Sequence, residues 1–302
     1  MRAVIFGAGA VGLFTAAHWQ QKGIEVMLVS RSQEQADAVQ AGGITVRATG
    51  HTWKEYVRAA DSERLTDIDF TDIDIMVNAL KQTNLPEWFE QIKHIIPPNI
   101  KEDVPILFLQ NGMGHIEEAS KYGFFKAFPA IVTHGIMKHS HTEVEHTGKG
   151  ALIMDDSLNK GLVTLLHNEP DYPVHQTGNV EDYQKKKLIV NAVVNPITAL
   201  YGIRNGELIE NEQLLAIGRS VFDEATPILK LKDDDWSFVL DVLRKTAKNE
   251  SSMKVDIDHG RKTEVDAILG FIIREGEKIG LPVTVTQKLL YDIHQLEYQR
   301  GI

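Results

Sequence analysis

The sequence predicts two domains of different class: an α/β domain over residues 1–178, then an all-α domain over residues 179–302. Three observations predict it. A Gly-x-Gly-x-x-Gly turn stands between a strand signal and a helix signal at the start of the chain. Further apolar runs follow it, each ending in a polar or glycine-rich loop. After Val180 the strand signals stop and helical spacing takes over. A chain of 302 residues is long for one domain and comfortable for two.

In chain order, Ala3 to Phe6 is a short apolar strand. "GAGAVG" supplies Gly7, Gly9 and Gly12; "LFTAAHWQQKG" reads as a helix stopping at Gly23, and "IEVMLVSR" as a second strand. Strand, glycine turn, helix, strand is the context in which this spacing binds a dinucleotide. The first glycine permits the turn, the second lets backbone approach a pyrophosphate, and the third lets helix and strand pack closely. The expected fold of the first domain is therefore Rossmann-type. Gly7, Ala8, Gly9, Ala10, Val11 and Gly12 are its expected cofactor-binding loop, with phosphates at the helix amino terminus. An NAD site usually carries Asp or Glu at the end of the second strand. Here Ser30-Arg31-Ser32 stands there and the next acid is Glu34. A cation and hydroxyls suit a 2′-phosphate, so NADPH is the expected cofactor and Arg31 a residue that holds it.

"IDIMVNALK" (residues 73–81) and "VPILFLQNGMG" (residues 104–114) continue the βα pattern. Ligands in open α/β sheets sit beyond the carboxyl ends of strands, which makes Lys81 and Asn111 candidates to meet the cofactor. From Ala127 to Asp156 the pattern changes to short strands with glycine turns, expected to add antiparallel structure that closes the domain near Gly178. His134, His139, His141 and His146 invite a metal hypothesis there. No acid or cysteine cluster completes a ligand set, and His139 and His141 fit an alternating strand face, so no metal is expected.

Composition narrows the function classes. Lys and Arg total 32 against 42 Asp and Glu, a net charge of -10, which disfavours nucleic acid or an anionic membrane as partner. The absence of cysteine excludes disulfides and thiolate catalysis and fits a cytoplasmic protein. "MRAVIFGAGAVGLFTAA" has a superficial likeness to a secretion signal. One Arg is a thin basic region, however, and the glycines have their own meaning, so the segment is read as the first strand and turn of the fold. No stretch approaches the ~20 apolar residues of a membrane helix.

The helical half holds an unusual stripe. In "KKKLIVNAVVNPIT", Lys187, Asn191 and Asn195 recur at intervals of four inside an otherwise apolar helix. A helix apolar nearly all round is buried, and buried amides and ammonium groups are costly unless paired. Either protein groups satisfy the stripe or a polar ligand does. Pro196 disfavours helical geometry at Asn195, so a kink that turns Asn195 off the stripe stays open. "QLLAIGRSVFDEATPILKL" and "AILGFIIREGEKIGL" read as amphipathic helices. Thr263 and Asp266 suggest a variant capping box, with Glu264 in the first turn of the last long helix.

Taken together, "GAGAVG", "NGMG" at Asn111, "KLIVNAVVNPITAL" from Lys187, "RNGEL" at Asn205 and "SSM" with "TEVD" between Ser251 and Asp266 resemble the ketopantoate reductase family. The resemblance runs from end to end of the chain. It implies NADPH-dependent reduction of 2-dehydropantoate to pantoate, serving pantothenate and coenzyme A synthesis. Nearby alternatives are reduction of another 2-keto acid or a non-catalytic NADPH-binding regulator. By the same resemblance Lys187 is the general acid and Glu264 meets the substrate's distal hydroxyl and the cofactor. Asn191, Asn195 and Asn205 line the substrate site, and Ser252 holds the substrate carboxylate. Asn111 lies where nicotinamide and substrate meet, and Lys81 and Arg31 lie toward the adenosine. The expected partner is a small 2-keto acid, with no nucleic acid and no membrane; a homodimer is admitted, and the sequence does not set oligomeric state.

Overall fold

The structure is a computed structural model and describes residues 1–158, 160–166 and 171–302. The chain divides into two compact units. One comprises Met1–Gln110 and Gly114–Val180; the other comprises Asn111–Met113 and Glu181–Ile302.

The first unit runs β1 (Arg2–Phe6), α1 (Ala10–Gln21), β2 (Glu25–Ser30), α2 (Gln33–Gly42), β3 (Ile44–Ala48), β4 (His51–Glu55), β5 (Arg58–Asp61) and β6 (Ile75–Asn78). It continues with α3 (Leu85–Ile92), α4 (Pro98–Asp103), β7 (Ile106–Phe108), α5 (His115–Lys121), β8 (Ala127–Val132), β9 (Gly135–Lys138), β10 (Glu143–Gly148), β11 (Leu152–Asp155), α6 (Lys160–Leu166) and β12 (Val174–Thr177). The main sheet has the order β12-β11-β8-β7-β6-β1-β2-β5. It is parallel from β5 through β8, and β11 joins β8 antiparallel. In β1 the burial alternates with the pleat: Ala3 and Ile5 enter one core with α1, while Val4 and Phe6 enter another with Trp88 and Phe89. Both faces are therefore covered, as a parallel sheet requires, and the Rossmann-type expectation holds.

Two expectations for this unit are corrected. The segment from Ala127 to Asp156 is not one antiparallel addition. Its first strand, β8, extends the parallel sheet, and β9 and β10 leave it for a separate sheet ordered β4-β3-β10-β9. That second sheet packs on α1, whose burial is nearly complete around its circumference. His139 and His141 are not on a strand face. They occupy the turn between β9 and β10, where His139 meets Glu145 at 2.7 Å and His141 approaches Glu34 at 3.9 Å.

The second unit is helical: α7 (Val180–Tyr201), α8 (Asn205–Glu210), α9 (Glu212–Leu229), α10 (Asp235–Lys245), α11 (Ser252–Asp258), α12 (Val265–Lys278) and α13 (Thr284–Arg300). Helix α7 is central. Leu188, Ile189, Ala192, Val193, Val194 and Ile197 are buried in one core with residues of α9, α10, α12 and α13. Gly218 of α9 permits close approach, since a Cβ there would lie 2.9 Å from Val193 Cγ1. Helix α7 continues through Pro196 to Tyr201.

Helix α12 begins at Val265, so Glu264 stands at its N-cap position and not in the first turn. Thr263 Oγ1 accepts from the Val265 N–H at 3.3 Å, and the Thr263 N–H donates to the buried Glu297 of α13 at 2.8 Å. That long-range bond sets the entry to α12 in place of the expected capping box. The last long helix is α13. Among the described residues no helix is long and apolar enough to cross a membrane.

Candidate active site

The glycine loop leaves β1 at the carboxyl end of the parallel strands. The Gly7 N–H donates to Val29 O and the Ala79 N–H to Phe6 O, which ties together the ends of β1, β2 and β6. The three glycines are required for three different reasons. Gly7 has φ +105 and lies against the Ala79 backbone. A Cβ on Gly12 would fall 1.8 Å from Gly7 O. A Cβ on Gly9 would meet nothing within 4 Å, so the exposed face of Gly9 is space left for something other than protein. Gly9 caps α1 without a side chain and no acid occupies the first turn. Its first N–H groups, which have no intrahelical partner, suit an anion. This cradle fits the pyrophosphate of a dinucleotide.

Arg31 follows β2 and is exposed, with Ser32 capping α2 through its hydroxyl, which accepts from the Gln35 N–H at 3.3 Å. Lys81 follows β6 and is half-buried. The turn that carries it is held by Asn78, fully buried, whose Oδ1 accepts from the Leu80 N–H and from Gln110 Nε2. Asn78 and Gln110 belong to the loop architecture and escaped the sequence reading; the available signal was a polar residue closing an apolar strand.

In the helical unit the stripe is real. Lys187, Asn191 and Asn195 lie four residues apart on α7. Lys187 keeps partial exposure as a residue while its ammonium end is enclosed by protein. Burial pulls its pKa down from 10.5 to about 8, against an opposing pull from the Glu264 carboxylate. Glu264 is half-buried and accepts from Asn111 Nδ2 at 3.1 Å. Asn111 reaches it because Asn111–Met113 belongs to the helical unit, where Met113 packs on the core.

Asn195 is buried, and its amide donates to Ser252 Oγ at 3.4 Å. It therefore stays on the stripe despite Pro196. Asn191 is half-buried and makes no side-chain hydrogen bond among the described residues, so neighbouring backbone does not satisfy the stripe at its centre. Ser252, the first residue of α11, is exposed.

Asn205 differs in kind. Its amide nitrogen donates to Thr246 Oγ1 at 3.1 Å, and its carbonyl oxygen is buried without a partner. The bond holds the chain that leads to Ser251. The roles of two further groups were not read from the sequence, although Ser251 opens the "SSM" motif. Thr198 and Ser251 are buried and share a hydroxyl pair at 2.7 Å. Ser251 also caps α11 by accepting from the Lys254 N–H at 3.2 Å. Through it the amino end of α11, and Ser252 with it, is fixed to α7. A Ser-Ser pair before an apolar helix was the signal for that cap.

An ammonium with a lowered pKa beside a carboxylate, flanked by amides and a hydroxyl, can bind an anionic carbonyl compound and protonate its oxygen. Comparison with known proteins identifies the family. Residues 3–158 match the family model described as "Ketopantoate reductase PanE/ApbA", and residues 179–297 match "Ketopantoate reductase PanE/ApbA C terminal". A 2-dehydropantoate 2-reductase of Bacillus subtilis (strain 168) is 38% identical over 304 residues, covering 98% of each chain. The crystal structure of a probable 2-dehydropantoate 2-reductase from Bacillus subtilis superposes with TM-score 0.84 at 36% identity, covering 98% of this chain and 100% of that one. A D-mandelate dehydrogenase solved with NADH and anilino(oxo)acetate shares the fold, with TM-score 0.87 at 20% identity and full coverage of both chains.

Proposed function

The chain belongs to the ketopantoate reductase family and is a nicotinamide-dependent oxidoreductase acting on a CH–OH group; from that premise we propose that it reduces 2-dehydropantoate to pantoate with NADPH, in the cytoplasm and in the service of pantothenate synthesis. The observation that carries this reading is the placement of Lys187 on a face of α7 that continues with Asn191 and Asn195, with its ammonium in electrostatic interaction with Glu264 at the start of α12.

The cofactor, when bound, supplies hydride to the keto carbon. The chain's own residues do the rest. Lys187 holds a proton at Nζ and delivers it to the keto oxygen as negative charge gathers there. A pKa near 8 leaves the group mostly protonated at neutral pH yet weakly enough bound to give the proton up. Its positive charge also draws an anionic acid to a protein of net charge -10. Asn191, whose carboxamide has no hydrogen-bond partner among the described residues, binds the substrate. Asn195 and Ser252 act together, the Ser252 hydroxyl on the substrate carboxylate and Asn195 orienting it. Glu264, oriented by Asn111, accepts from the substrate's distal hydroxyl. Arg31 and Lys81 hold the adenosine side of the cofactor, and the Gly7–Gly12 loop holds its phosphates. Asn205 supports the site indirectly through Thr246.

The test is NADPH oxidation across a panel of 2-keto acids with and without a distal hydroxyl. Turnover should be highest for 2-dehydropantoate and fall for the acid lacking the hydroxyl. A Glu264→Gln variant should narrow that difference. Equal turnover for both acids would refute the assignment of Glu264 and of the substrate.

A further inference from the structure

The glycine loop is gripped from outside by a residue that none of the motifs contains. Lys138, at the end of β9, donates from Nζ to Ala8 O at 2.9 Å. The same carbonyl accepts from Gln35 Nε2 of α2 at 2.8 Å, and that nitrogen also lies 2.9 Å from His141 O. Gln35 is buried, and its backbone N–H is the one that Ser32 Oγ accepts from at the start of α2. Ser30 Oγ in turn donates to Ser32 O at 2.7 Å. One hydrogen-bonded chain therefore leads from the end of β2, where Arg31 stands, through Gln35 and the Ala8 carbonyl to the Lys138 ammonium.

The charge at this place is unbalanced. Lys138 is half-buried, and burial pulls its pKa below the usual lysine value. Neither Lys138 nor Arg31 pairs with a carboxylate among the described residues. Arg2, Arg47, Arg58 and Arg64 of the same unit each do. The acid nearest Arg31 in sequence, Glu34, has an 83% exposed side chain and approaches His141, and the acid nearest Lys138 in sequence, Glu143, pairs with Arg47 at 2.6 Å. A partly desolvated cation bonded only to a neutral carbonyl is costly unless an anion completes it. In this fold the end of the second strand is where the 2′ position of the adenosine ribose is read.

We infer that Lys138 is a specificity-determining residue for the phosphorylated ribose of the cofactor, a second cation that works with Arg31 on the 2′-phosphate. The inference rests on the NADPH reading above. A bare ribose hydroxyl has no charge to complete the site, so discrimination comes from two cations reaching it from different elements, the β2 end and β9. The carbonyl bond to Ala8 then has a second consequence, since it couples the same ammonium to the conformation of the phosphate loop.

The experiment is calorimetric titration of the full chain with 2′,5′-ADP and with 5′-AMP, which carry only the adenosine half of the cofactor. It is run on the unmodified protein and on Lys138→Gln, Lys138→Met and Arg31→Ala. Gln retains a donor for the Ala8 carbonyl but not the charge, and Met retains neither. The unmodified protein should prefer 2′,5′-ADP, and both Lys138 variants should lose roughly tenfold or more of that preference with 5′-AMP affinity little changed. Equal weakening of both probes in Lys138→Met, with Lys138→Gln behaving as the parent, would reduce Lys138 to a loop clamp and overturn the inference. An unchanged preference in Lys138→Gln while Arg31→Ala loses it would also overturn it and leave the NADPH reading intact. An unmodified protein that does not distinguish the probes would remove the NADPH reading and this inference together. Should Lys138→Met fail to fold, Lys138→Gln decides alone.

Discussion

Replacing Lys187 by methionine keeps the aliphatic stem on α7 and deletes the charge, which separates catalysis from packing. On the proposed role of Lys187 as the general acid, its removal should lower kcat by roughly 10²–10⁴-fold. In the unmodified enzyme kcat for reduction should hold steady at neutral pH and fall as pH rises through about 8, where Lys187 loses its proton. Stability should move the other way. The folded state lowers the pKa from 10.5 to about 8, so it binds this proton less tightly than the unfolded chain does. Protonated Lys187 thus destabilises the fold at every pH below about 8. The displacement corresponds to roughly 3 kcal/mol as an upper figure, because Glu264 loses a partner in the variant. Between pH 8 and 10.5 the unfolded state holds more protons, and the parent gains stability as pH rises. Other titrating groups are common to both proteins and cancel in the difference. Urea unfolding of the pair from pH 7 to 10.5 should give a variant that is the more stable at pH 7, with the gap closing toward pH 10.5. A variant with near-normal turnover, or one less stable at pH 7 with a gap that ignores pH, would refute the reasoning.

Asn191→Ala should raise KM for the keto acid by the equivalent of about 1–3 kcal/mol while leaving the melting temperature unchanged, because its amide bonds to nothing in the described protein; a lowered melting temperature with unaltered KM would make the residue structural. The loop glycines should separate under the same substitution. Gly12→Ala puts a Cβ 1.8 Å from a backbone oxygen and should lower thermal stability. Gly9→Ala, with open space before it, should melt like the parent and weaken dinucleotide binding measured by fluorescence quenching. Identical behaviour of the two would contradict the three separate reasons assigned to the loop.

What could be read from the sequence was what repeats or is local. The glycine loop was legible because its spacing is tied to one backbone conformation, and the Lys187–Asn191–Asn195 stripe because helical periodicity puts all three on one face. Glu264 was found one position away from its true place, since the bond that sets the start of α12 comes from Glu297. Long-range partnerships were not legible at all. Lys138 reaches a carbonyl 130 residues away. Ser251 meets Thr198 across 53 residues. The sheet β4-β3-β10-β9 joins two hairpins from distant parts of the chain, through a parallel pairing of β3 with β10 that no local pattern announces.

Pro196 is the case where local and tertiary terms conflict, and magnitudes decide it. A proline inside a helix costs about 3 kcal/mol through a lost hydrogen bond and a clash with the preceding turn. That is sufficient to end an isolated helix at Asn195. Around it, however, Val193, Val194 and Ile197 are buried in the helical core, each contributing on the order of 1.5–3 kcal/mol. Unwinding α7 at Asn195 would withdraw Val194 and Ile197 from that core together. It would also break the Thr198 hydroxyl from the Val194 carbonyl and from Ser251. The tertiary terms exceed the local one, and the helix runs on. Asn195 consequently keeps its place beside Ser252, which the residues on either side of it could not have foretold.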